Sequence, residues 1–197
     1  CGALAVMLRN NMAYAALVRS PHSHAKVLGI DTSEAEKIPG YLGCALPEES
    51  PQEYFNCSGN PPSPLLMADE KVLTDEPLVL GDRVAVVAAE TEEAARAAAE
   101  AVKLEYEVIA PMLDVKSALA ENVPALQPHI SQNNIIQRRE VSQGDIAAGE
   151  AASDIIESDH FVTPAMQHTT IELTCCIVDF SDGEHMTIYS CSQTVFQ

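Results

Sequence analysis

Val102, Leu104, Tyr106 and Val108 alternate with Lys103, Glu105 and Glu107, a period of two that predicts a strand with one wet face. Upstream, Val84 to Ala89 is an unbroken apolar run bounded by Gly81-Asp82 and Thr91, the pattern of a strand buried on both faces. Between them, Glu92 to about Ala101 reads as a helix. Its alanines have the highest helix propensity, Thr91 is placed to cap it, and Glu92 and Glu93 oppose the positive end of its dipole. The unit is strand, helix, strand, closed by Ala110-Pro111, and a helical crossover would permit the two strands to run parallel.

The same reasoning places Met12 to Val18 in a strand ended by Ser20-Pro21, and Ala25 to Ile30 in a second. Thr32 or Ser33 then caps a short helix, Glu34 to Lys37, stopped by Pro39-Gly40 before a strand from Tyr41 to Leu46. Pro47, Pro51, Pro61, Pro62 and Pro64 mark a long surface loop. From Ser117 to Ser142 periodicity is lost around Pro124, Pro128, Gln132 and Asn133-Asn134, which predicts a linker and a boundary between Glu121 and Gln132. The expected domains are residues 1–125 and 126–197. In the second, Asp145 to Ser158 looks helical, His160 to Val162 starts a strand, Thr169 to Phe180 is rich in β-branched residues, and Ser181-Asp182-Gly183 is a hairpin turn into a strand from Met186 to Ser190. The class expected is α+β, with a second unit cut short at Gln197.

Charge narrows the partners. The 197 residues carry 29 acids against 11 Lys and Arg, a net −18 that repels phosphate backbones and anionic lipid surfaces. No apolar run is of the roughly 18-residue length that spans a bilayer, and the first residues lack a signal-peptide pattern. The six cysteines form no CxxC pair, which favours mostly reduced, buried thiols and a cytoplasmic setting. Cys175 and Cys176 read as two packed residues of a strand whose successive side chains face opposite ways.

Spacing alone reveals no catalytic motif: Walker, GxGxxG, HExxH and GxSxG patterns are all absent. His22 and His24 flank a turn and read as surface or packing groups, and Glu105 and Glu107 as solvated charges. His168 and Glu172 would share one face of a strand, where they either pack or orient groups in a cleft.

Two blocks carry a resemblance. Tyr14 to Ser33, YAALVRSPHSHAKVLGIDTS, and the later LLMADEKV with GDRVAVVAAETEEAARAAAEAVKLEYEVIAPMLDVKSAL resemble, in order, the molybdenum-binding subunit of the xanthine dehydrogenase and aldehyde oxidase family. That likeness implies an α/β hammerhead domain followed by the truncated start of a molybdenum-cofactor-binding α+β domain. The family's Gln-x-His-x-x-x-Glu stretch corresponds to Gln167, His168 and Glu172, although Gln167 here adjoins the histidine. Its Ser-Thr-Gln strand end corresponds to Cys191-Ser192-Gln193, and Gly144-Asp145 matches the usual lead into this domain. Gln193 is the one residue the resemblance carries over as cofactor-binding; it assigns no catalytic or metal-ligating residue within this chain.

The implied activity is hydroxylation of purines, N-heterocycles or aldehydes with water-derived oxygen at a molybdenum-molybdopterin. Electrons would leave to iron–sulfur clusters and FAD on partner subunits or other regions, since the chain has neither a cluster pattern nor a dinucleotide fingerprint. A homo-oligomeric assembled enzyme is implied, with most of the chemistry downstream, so that the fragment alone would be inactive. The alternative is a non-catalytic hammerhead scaffold or assembly domain without molybdenum, because fold does not fix function.

Overall fold

Described in a computed structural model are residues 11–56, 67–171 and 174–191. The strands of the first part are β1 (Tyr14–Arg19), β2 (Ala25–Asp31), β3 (Tyr41–Ala45), β4 (Arg83–Ala89) and β5 (Lys103–Val108), with α1 (Glu92–Ala101) between the last two and α2 (Val115–Ala118) after them. Then follow α3 (Ile146–Ala151), β6 (Cys176–Asp179) and β7 (Thr187–Ser190). The chain divides into two units between Ile136 and Gln137.

In the first unit β4 is central, as its two-sided apolar run requires. It pairs antiparallel with β1, Tyr14 opposite Ala89 and Leu17 opposite Val86, and on its other edge with β3, Cys44 opposite Val87. Val84, Ala85, Val87 and Ala89 are fully buried. Helix α1 lies on one face of this sheet, and Ala98 joins Val18, Ala35, Ala85, Val87 and Val102 in a single core cluster. Small residues on the helix allow its backbone to approach the sheet closely, so the buried centre is valine and alanine, with Ile30, Ile38, Tyr41, Leu46 and Leu104 packed around it. The cap forms as expected, with Thr91 Oγ1 accepting from the Ala94 amide at 3.1 Å.

The strand, helix, strand unit is not a parallel pair. β5 pairs antiparallel with β2, Val27 opposite Tyr106 and Ile30 opposite Leu104, in a separate two-stranded sheet. Both edges of β4 are already occupied by β1 and β3, so the chain leaving α1 must find its partner elsewhere.

Between β2 and β3 the expected helix is only a 3₁₀ turn, Ala35–Lys37. Its candidate caps are used otherwise: Thr32 Oγ1 donates to Glu36 Oε1 at 2.7 Å, and the Ser33 amide donates to Asp31 Oδ1 at 2.9 Å. Ile38, forced toward extended backbone by Pro39, ends the turn at φ −71°, ψ 127°.

The second unit departs further from expectation. Asp145 caps α3 by accepting from the Ala148 amide at 3.0 Å, but the helix ends at Ala151 and does not run to Ser158. None of its residues is buried, and a helix this short has no stability without a packed face. His160 to Val162 form no strand, and among the described residues of the β-rich stretch from Thr169 the strand is β6. Thr169 sits at φ 54°, a left-handed conformation that interrupts any strand and that a β-branched residue rarely adopts. The predicted hairpin is present: β6 and β7 pair antiparallel, Cys176 opposite Ser190 and Asp179 opposite Thr187, around Gly183 at φ 73°.

The thiols also differ from expectation. Cys176 is exposed rather than buried and Cys175 is disulfide-bonded, whereas Cys44 keeps the free, partly buried thiol expected of it.

Candidate functional site

The expected cofactor contact, Gln193, lies outside the described residues, as does Glu172. What is described is the strand that leads to Gln193. β7 ends with Tyr189 half-buried and Ser190 opposite Cys176. One residue further, Cys191 Sγ accepts from the Cys175 amide at 3.4 Å and donates to the Cys175 carbonyl at 3.5 Å. The backbone entering the Ser-Gln pair is thus held in register on its neighbour strand.

His168 is not part of that frame. It stands beside the left-handed Thr169, whose Oγ1 donates to the Gln167 carbonyl at 3.1 Å, so this stretch is a bend rather than the strand on which His168 would share a face with a residue four further on. Among the described residues no three His, Cys, Asp or Glu side chains come close enough to hold a metal ion. Every residue from 137 to 171 is exposed. These residues therefore offer a strand frame but no cradle and no ligand set for a cofactor.

The histidine pair near the first turn packs. His22 meets Tyr106 edge-on, ring centroids 4.9 Å apart, and buried Ser20 closes the turn by accepting from the His22 amide and donating to its carbonyl, each at 3.0 Å. His24 Nδ1 and Tyr106 Oη are buried without a hydrogen-bond partner. Burial pushes the Tyr106 phenol up, outweighing the opposing influence of the nearby Ser20 hydroxyl. Burial, aided by Glu49, likewise pushes the Cys44 thiol up, which keeps it protonated and poorly nucleophilic.

Hydrophobic periodicity gave no sign of two further features. One is a shallow apolar groove lined by Leu17, Phe55, Val72 and Val86, with Arg83 at its rim paired to Glu70 at 2.8 Å. The other is a polar clasp around Tyr54, His129 and Asn134. For the second, the Asn133-Asn134 pair was the available signal, since asparagine is the residue most ready to adopt left-handed backbone.

Comparison with known proteins agrees with this architecture. Residues 6–110 match the model for the aldehyde oxidase and xanthine dehydrogenase a/b hammerhead domain, and residues 127–197 match the molybdopterin cofactor-binding domain. The fold of the aldehyde oxidoreductase from Desulfovibrio gigas superposes with a TM-score of 0.80 at 28% identity, covering 95% of this chain and 21% of that one. This pairing of domains is that of the molybdenum hydroxylases.

The chain belongs to the aldehyde oxidase and xanthine dehydrogenase family. It is 31% identical over 183 residues to a probable xanthine dehydrogenase subunit of Bacillus subtilis, covering 92% of this chain and 23% of that protein. It is 29% identical over 186 residues to the xanthine dehydrogenase molybdenum-binding subunit of Escherichia coli O157:H7, covering 92% and 24%. The chain therefore spans about a quarter of the length of these relatives. Family membership and the second domain match make molybdopterin-bound molybdenum the cofactor of this class of protein. Among the described residues, no helix is long and apolar enough to cross a membrane.

Proposed function

We propose that this chain is the N-terminal part of a molybdenum hydroxylase large subunit that oxidises purines, N-heterocycles or aldehydes. The observation that carries this reading is the ordered match of a hammerhead domain and then a molybdopterin-binding domain along one chain. It also weighs against a scaffold without molybdenum, which would have no use for the second domain. When bound, the cofactor supplies an oxygen derived from water and accepts the two electrons of the oxidation. Iron–sulfur and FAD partners are the destination of those electrons, since the chain carries no cluster or dinucleotide motif. The assembled enzyme is proposed to be a cytoplasmic homo-oligomer.

Within this chain the proposed contribution is positional. The hammerhead domain, residues 1–125, is scaffold, and the region from 126 onward begins the cofactor domain. Gln193, which follows β7 in the sequence, would donate its side-chain amide to the cofactor, a preorganised polar contact of the kind that stabilises developing charge.

In the full-length enzyme, Gln193→Ala should leave folding and molybdenum content nearly intact while turnover falls roughly a hundredfold, the usual cost of one preorganised donor. Molybdenum content, melting temperature and turnover measured on one preparation decide it. Full activity per bound molybdenum removes Gln193 from the site, and lost stability with unchanged specific activity makes it a strand-end support.

A further inference from the structure

The stretch that the sequence marks as a linker is fastened down by side chains. Asn134 stands in left-handed backbone at φ 60°, which turns its amide back over the preceding loop. Its Oδ1 accepts from the Leu126 amide at 2.8 Å, and its Nδ2 donates to the Ala118 carbonyl at 3.0 Å and the Pro124 carbonyl at 3.2 Å. One side chain thus ties the last residue of α2 to two points of the loop that follows it. The amides of Ile130 and Ser131 both return to the Gln127 carbonyl, at 2.9 and 3.0 Å, giving the stretch a turn of its own.

A second fastening joins this turn to the segments around β3 and β4. The His129 ring stacks on Tyr54, centroids 3.8 Å apart and planes within 21°, and Nε2, in the tautomer that carries its hydrogen, donates to the Ala68 carbonyl at 3.2 Å. Lys71 Nζ lies 5.4 Å from the centroid of the Tyr54 ring. Gln127 Nε2 adds a bond to the Asp69 carbonyl at 2.8 Å. The bonds of this second fastening come from side chains at a partly exposed surface, and none involves the sheet amides of β4. A few such contacts are weak beside the burial of a sheet and helix, so they can release while the core stays folded.

We propose that residues 126–134 form a strap that unfolds locally and re-forms as one unit on the first unit, its two ends tied together through Asn134 and Leu126 and its middle held by the Tyr54–His129 ring pair. Closed, the strap fixes where the chain leaves the first unit, at Ile136. Open, it frees the residues that begin the cofactor-binding match without unfolding the sheet. The inference does not rest on the catalytic reading, because it concerns contacts within the first unit alone.

Hydrogen exchange of single amides in the full-length chain tests it. In the wild type, Leu126, Ile130 and Ser131 should exchange at one common opening rate, faster than Val84–Ala89. His129→Ala should raise exchange roughly tenfold at all three amides, including Leu126, which His129 does not touch. Asn134→Ala should accelerate Ile130 and Ser131, to which Asn134 makes no bond. His129→Phe, which keeps a ring to stack but loses the carbonyl bond, should recover a part of the protection. If His129→Ala leaves Leu126 unchanged, the two locks are independent and the strap is not a unit. If it accelerates the β4 amides equally, the strap is inseparable from the core. Either result overturns the proposal.

Discussion

The two units of this chain differ in what they hide. In the first, β4 and α1 bury Val84, Ala85, Val87, Ala95 and Ala98 to 1% exposure or less. In the second, Ile146, Ile155, Phe161, Val162 and Met166 are all exposed, and among the described residues the hairpin of β6 and β7 is a sheet of two strands. Apolar side chains are present in both. Only the first contains the layers, a helix on a three-stranded sheet, that let apolar faces meet. A two-stranded hairpin and a helix of one and a half turns are marginal without such a layer.

A buried charge should separate the two units most visibly. In the 197-residue chain, Val87→Asp should cost on the order of 5 kcal/mol, because the carboxyl has no partner in the core, and that is comparable to the whole stability of a domain. Val162→Asp should move stability by less than about 0.5 kcal/mol, as surface substitutions do. Melting curves of the two variants measure the contrast, and similar losses would mean that Val162 is packed.

Exchange rates sharpen the same contrast on the backbone. The Val84–Ala89 amides should open only with global unfolding, whereas those of Thr187–Ser190 should exchange at least roughly a hundredfold faster through local opening. Equal protection would show that the hairpin shares the stability of the first unit.

How much of this was legible in the sequence follows from which force sets each element. β5 could be read from its period of two, β4 from an unbroken apolar run, and α1 from its alanines and the Thr91 cap, because burial and propensity act there on consecutive residues. Pairing was not legible: nothing in the β5 alternation says that its partner is β2. The Asp145 to Ser158 helix and the His160 to Val162 strand were misread because propensity was taken as sufficient where no packed face exists. The strap left no periodic trace, since it is made by Asn134, His129 and Gln127 acting singly. Of the candidate site, only the strand before Gln193 is described; Gln193 itself rests on the family resemblance.

The smallest expected effect is confined to the hairpin turn. Backbone amides of His185 and Glu184 hold the exposed Asp182 carboxyl below the usual aspartate range, and the His185 ring assists at 3.0 Å. A depressed pKa makes the turn more stable above the ordinary aspartate value and removes that gain as pH falls through the lowered one. The Glu184 and His185 amide resonances should therefore shift with a midpoint below that of an ordinary aspartate. Asp182→Asn, which keeps the acceptor oxygen but cannot titrate, should abolish the shift. A midpoint at the ordinary value would deny the bonds.

The order β1-β4-β3 sets a schedule for the growing chain. During synthesis the chain emerges from the N-terminus, at some 5–20 residues per second, so β1 and β3 leave the ribosome as two strands that do not pair with each other. Their shared partner is made last of the three, and Tyr14 waits for Ala89. Helix α1 and β5 follow directly behind it, so the sheet, its covering helix and the second sheet become possible within one short interval of translation. Until then two strand edges are open to any other β-rich chain nearby, which makes the nascent polypeptide, rather than the finished protein, the form most exposed to aggregation and most in need of a chaperone.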